Sequence, residues 1–196
     1  NNSYISLFPY LYPYVILLGK VMKIFGTSYK LVVIINLIIE LIGAYFISRI
    51  FKNKYSENTY HIATIFYMFN PLSFLWITNS LPIIIVNTTI IIVLYLYEKM
   101  INTTSLKNKI IYAIILGISM SISNLFRPII IIFVITLFIM MLIKMVKEKT
   151  CIPLLLLICI LTPYFMINNI SNNLISKNIG YDLPKNSGGW SMNVGS

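Results

Sequence analysis

The sequence predicts an all-α fold, a polytopic membrane helical bundle of about six spans with an N-terminal interfacial helix. Three observations predict it. Of 196 residues, 58% are hydrophobic and only 10% are charged, whereas water-soluble domains carry roughly 25% charged residues. The mean hydropathy is +0.85, and apolar runs long enough to cross a bilayer recur along the chain. The basic residues, finally, gather at the ends of those runs. Lys and Arg number 15 against five acids, a net charge of +10. That excess fits membrane orientation and anionic lipid rather than nucleic acid.

The elements follow in order. Asn1 opens the chain without a methionine or a charged leader, so further sequence is expected before it. Residues 9–25 read PYLYPYVILLGKVMKIF. Two prolines, a glycine and two lysines make a poor span. On a helical wheel Ile16, Gly19, Lys20 and Lys23 share one side, and Val15, Leu18, Met22 and Phe25 another. This is the pattern of an amphipathic helix lying in the interface. Residues 31–50 form the first clear span, about 30 Å long at the helical rise. The others are expected at 61–78, 82–97, 109–126, 128–146 and 152–168. Pro82, Pro128 and Pro153 fall at helix starts, where a missing N–H costs nothing. Pro71 and Pro163 fall inside spans and are expected to kink them. The segment 169–196 turns polar, rich in Asn, Ser and Gly, and reads as a loop.

Orientation follows from the basic residues. The stretches 49–60, 98–109 and 144–151 hold Arg49, Lys52, Lys54, Lys99, Lys107, Lys109, Lys144, Lys147 and Lys149. The positive-inside rule makes these cytoplasmic. Residues 1–30, the turns at 79–81 and 127, and the segment 169–196 then share the outer face.

Few residues are candidates for chemistry. Arg127 sits in SNLFRP, between two apolar runs. Two readings fit it. It can snorkel to lipid headgroups from a helix end. Alternatively, Pro128 forces the preceding residue out of helical geometry, which fixes the guanidinium at an abrupt corner. There it suits a phosphate, which it binds two-pronged with a permanent charge. Lys20, Lys23 and Lys30 read as headgroup-attracting residues. Tyr10, Tyr12 and Tyr14 read as an interfacial aromatic belt. Trp190 follows two glycines in the polar tail and either lies on the membrane interface or closes over a substrate. Glu40, in mid-span, reads as a protonated carboxyl hydrogen-bonded between helices. His61 reads as a helix-end residue. Cys151 and Cys159 read as small packing residues, with no metal spacing and no disulfide framework. No metal-ligand cluster, Ser-His-Asp set or glycine-rich phosphate loop is present, and no cofactor is evident.

The order of segments adds more. PYLYPYVILLGKVMKIFG, a span, FNPLSFLWITNS, a long gap, SNLFRP and NSGGWSMNVGS together resemble the GT-C glycosyltransferases, in the group related to protein O-mannosyltransferases and aminoarabinose transferases. Asn70-Pro71, Asn124 with Arg127-Pro128, and Gly188-Gly189-Trp190 with Asn193 carry the resemblance, which spans nearly the whole chain. It implies a hexosyl or pentosyl transferase that takes a sugar from a polyprenyl-phosphate donor on the non-cytoplasmic face, with membrane lipids as its surroundings. It further implies that Arg127, helped by Lys20 and Lys30, stabilises the departing lipid phosphate. Trp190 and Asn193 then belong to an external loop bordering the site. The family's catalytic acid lies in a first external loop after a first span. Neither is found before residue 31 here, where there is no Asp or Glu, so the chain is expected to be a piece without its catalytic acid. An acid or polar residue that many relatives carry near residues 81–83 is replaced here by apolar LPIII. A transporter or flippase, or a non-catalytic membrane scaffold, is the alternative reading.

Overall fold

The computed structural model describes residues 11–52, 54–79 and 82–179. Among them lie eight α-helices and one short 3-10 turn, with no strand. They are α1 (Tyr12–Phe25), α2 (Tyr29–Lys52), α3 (Glu57–Met68), α4 (Pro71–Thr78), α5 (Ile83–Asn102), α6 (Leu106–Phe126), the 3-10 turn Pro128–Ile130, α7 (Ile131–Glu148) and α8 (Ile152–Ile179). Five segments are long and apolar enough to cross a membrane: Tyr29–Lys52, Ile83–Asn102, Leu106–Phe126, Pro128–Glu148 and Ile152–Lys177. The chain is thus a multi-pass membrane protein built as an all-α bundle.

Punctuation by proline and glycine sets many of the boundaries. Gly26 closes α1 at φ +88°, a backbone region open to glycine and costly for other residues. Pro128 lies in the first turn of its segment and holds Arg127 extended at φ −162°, ψ 127°. Pro82 caps α5, its carbonyl accepting the Val86 N–H at 3.1 Å. Lys149 ends α7 in the left-handed region at φ 52°.

Two expectations are corrected. The expected span 61–78 is two helices, α3 and α4, that part at Phe69–Asn70. Pro71 does more than kink: Asn70 goes extended, at ψ 120°, and its side chain accepts the Leu72 N–H, so a new helix starts. Secondly, α8 does not stop at 168 but runs to Ile179. Ile170, Leu174 and Ile175 continue its apolar spacing, and no glycine or proline occurs between Tyr164 and Ile179.

The break at α4 leaves carbonyls without helical partners inside an apolar layer, where each must find a donor. All four at the end of α4 do. The Leu75 carbonyl accepts from Asn79 Nδ2 at 2.7 Å, and the Trp76 carbonyl from the Asn79 N–H at 3.3 Å. The Ile77 carbonyl accepts from Asn36 Nδ2 of α2 at 3.0 Å, and the Thr78 carbonyl from the Tyr29 hydroxyl. Asn36 is 1% exposed and also donates to the Asn79 carbonyl at 3.2 Å. Polar side chains of α2 therefore staple the broken arm to the bundle.

The main core lies among α5, α6, α7 and α8. Met100, Ala113, Leu116, Met120, Ile130 and Ile160 are its most buried members. At Gly117 α6 and α8 touch backbone to backbone. A Cβ there would collide with the Ile160 carbonyl and lie 2.8 Å from Pro163 Cγ. A second cluster joins α1 to the bundle through Tyr14, Val86 and Phe126. Tyr14 is therefore core, correcting its place in an aromatic belt, and burial pushes its phenol above the ordinary range. Outward faces are the reverse of a water-soluble protein: Ile132, Ile135, Ile139 and Ile143 of α7 are all exposed, as lipid contact requires.

Because the long helices alternate in direction, the bundle has two ends. One bears α1, the α4–α5 connection, Arg127 and the end of α8. The other bears the connections after α2, α5 and α7. Lys54 and Glu98, 3.6 Å apart, tie two segments of that second end.

Candidate functional site

The α1 end gathers the residues of interest around the corner between α6 and α7. Arg127 closes α6, and its N–H donates to the Ser123 carbonyl at 3.0 Å. Its side chain is half-buried. Only Lys54–Glu98 and Lys144–Glu148 pair as ions among the described residues, so no described carboxylate neutralises the guanidinium. Backbone geometry thus sets a basic residue at this corner.

Beneath this corner lies a buried polar group joining α6 to α8. Ser121 Oγ donates to Asn168 Oδ1 at 3.0 Å, and Asn124 Nδ2 donates to the same oxygen at 3.3 Å. Ser121 and Ser123 are fully buried and Asn168 is 9% exposed. Ser123 Oγ has no partner among the described residues. Buried polar atoms require partners, so this network fixes the end of α6 against α8, one turn below Arg127. Sequence reasoning missed Ser121 and Asn168. A signal existed in the spacing of Ser121 and Asn124, which share a face of an otherwise apolar helix, but their partner lies 47 residues from Ser121.

The other sequence candidates divide. Lys20 and Lys23 stand exposed on α1, and Lys30 is exposed in the first turn of α2. All lie at the same end as Arg127, and no hydrogen bond or ion pair joins them to it among the described residues. Trp190 and Asn193 lie outside the described residues. His61 is exposed on α3, its ring 4.0 Å from that of Tyr60. Cys151 is exposed, correcting its reading as a packing residue, whereas Cys159 is half-buried against the main core.

Glu40 belongs to a separate polar group within the bundle. It is 6% exposed, and the Tyr67 hydroxyl lies beside it and beside Thr88. Thr88 Oγ1 donates to the Ile39 carbonyl at 3.1 Å. Gly43 leaves room for this approach: a Cβ there would meet Thr88 Oγ1 at 3.2 Å and run into the Tyr67 hydroxyl. Among the described residues, no three His, Cys, Asp or Glu side chains gather to hold a metal ion. The remaining described acids, Glu57, Glu98 and Glu148, lie at the opposite end, so among the described residues no carboxylate stands at the Arg127 corner.

Residues 8–169 match the family model described as dolichyl-phosphate-mannose-protein mannosyltransferase. Comparison with curated proteins returned no match, and neither did comparison with solved structures.

Proposed function

This chain belongs to the dolichyl-phosphate-mannose-protein mannosyltransferase family, a family of membrane glycosyltransferases, and from that premise we propose that it moves a sugar from a polyprenyl-phosphate donor to an acceptor on the non-cytoplasmic face. Arg127 holds the donor phosphate. One observation supports this above the others: a guanidinium without a described ionic partner, fixed at a proline-enforced corner over a buried polar network, at the end of the bundle poorer in basic residues.

The chemistry follows from charge. As the sugar departs, the lipid phosphate gains negative charge, and a preorganised cation lowers the barrier most where that charge develops. Arg127 offers two parallel donors to the phosphate oxygens. Lys20 and Lys30 add positive potential across the same end, and Trp190 and Asn193 belong, by the resemblance, to the external loop that borders the site. The transfer also needs a carboxylate to deprotonate the acceptor. Glu40 is deep in the bundle beside Tyr67 and is not suited to that role.

The test is sugar transfer by the protein in membranes, using a labelled polyprenyl-phosphate sugar. Arg127→Ala is expected to lower turnover roughly 10²-fold and to weaken donor binding, while Arg127→Lys retains part of both. Unchanged donor binding and turnover in Arg127→Ala would sink the phosphate role. Net movement of the intact lipid-linked donor across the bilayer, without transfer, would favour a flippase instead.

A further inference from the structure

We propose that the basic end of the bundle contains a site for the phosphate headgroup of an anionic membrane lipid, set between the ends of α5, α6, α7 and α8. The site is separate from the Arg127 corner and does not depend on the transferase reading.

The structure has a shallow crevice there, partly open to solvent. Its lining is amphipathic. Met100, Met141 and Leu156 form an apolar floor, and Lys109, Lys144 and Glu148 contribute the charged groups. The two lysines come from different helices, α6 and α7. Lys144 lies 3.6 Å from Glu148. Lys109 has no acidic partner among the described residues. Two lysines against one glutamate leave the lining at +1. Lys107, Lys147 and Lys149, exposed on the adjoining segments, raise the local positive potential further.

Position selects a lipid over a free anion. Ile152, which lines the crevice, is exposed, and so is Leu155 on the neighbouring face of α8. This is the level at which apolar surface gives way to lysine, where a headgroup sits above its acyl chains. A phosphate entering from that side places its charge between Lys109 and Lys144 and lays its chains along the exposed apolar face of α8. A free phosphate would use the lysines and gain nothing from that face. The same end carries the nine basic residues that the positive-inside pattern assigns to the cytoplasmic leaflet, which is rich in anionic lipid.

Native mass spectrometry of the purified full chain in neutral detergent tests this, with phosphatidylglycerol and phosphatidylcholine titrated separately. Phosphatidylglycerol is expected to be retained preferentially, and Lys109→Gln and Lys144→Gln each to weaken it about fivefold. Arg49→Gln, at the same end but away from the crevice, should leave retention unchanged. Glu148→Gln, which removes the competing carboxylate, should preserve or tighten it. Equal retention of phosphatidylcholine would overturn the proposal. So would an equal loss in Arg49→Gln, a loss in Glu148→Gln, or inorganic phosphate displacing the lipid from the protein at equal concentration.

Discussion

A missing side chain decides how α6 and α8 meet. Gly117 lets the helices approach until its Cα side faces the Ile160 carbonyl, and an added methyl would strike backbone, which cannot rotate aside. Gly117→Ala is therefore expected to lose about 1–3 kcal/mol, the range for overpacking, seen as a lowered thermal unfolding midpoint in detergent. An unchanged midpoint would mean that the helices separate at little cost. Individual residues differed in how far the sequence exposed them. Arg127 stood out because charge is scarce in this chain and Pro128 follows it. Glu40 stood out for the same reason; it is buried between helices beside Tyr67, but its Oε1 has no hydrogen-bond partner among the described residues. Ser121, Asn168 and Gly117 were silent. Small and polar residues recur in every apolar run here, and only the pairing of α6 with α8 singles these out.

At the scale of elements, the break between α3 and α4 is the clearest departure from regularity. It rests on Pro71, which lacks an N–H, and on Asn70, which supplies the cap. Pro71→Ala restores the donor and removes the clash that drives residue 70 extended. The variant is expected to show slower amide hydrogen exchange across 69–72 as α3 and α4 approach one helix, and some loss of the α2 staple as the α4 carbonyls reorient. Exchange as fast as in the parent would mean that Asn70 alone maintains the break. Hydropathy saw a single span here because it averages over windows and does not register one extended residue. It also ended α8 too early. Asparagine and serine looked like a loop, yet Ile170, Leu174 and Ile175 keep the helical spacing, and tertiary support overrides weak propensity. The helix starts were more legible, because proline acts locally.

For the whole molecule, the question is which end faces the cytoplasm. Nine basic residues on three connections give the sequence-level answer, and the alternation of helices places those connections together. Cys151 provides a native probe, exposed at the α7–α8 connection. In a Cys159→Ser background on intact cells, a membrane-impermeant maleimide is expected to miss Cys151. It should label it after permeabilisation, and should label Thr27→Cys, in a chain lacking both native cysteines, without permeabilisation. The opposite pattern would invert the protein and remove the Arg127 corner from the outer face. The overall bundle was legible because bilayer thickness dictates helix length, whereas its lateral packing depends on glycines and buried amides that carry no periodic signal. The close approach at Gly117 then takes on a further meaning. It is a datum from which height is measured. Arg127, directly after the last residue of α6, stands ten residues beyond it, about 15 Å along the axis. The rise from that contact to the Arg127 corner is thus set by the helix rather than by the lipid. A bilayer that thins or thickens shifts around that gauge and leaves the distance from Gly117 to Arg127 unaltered.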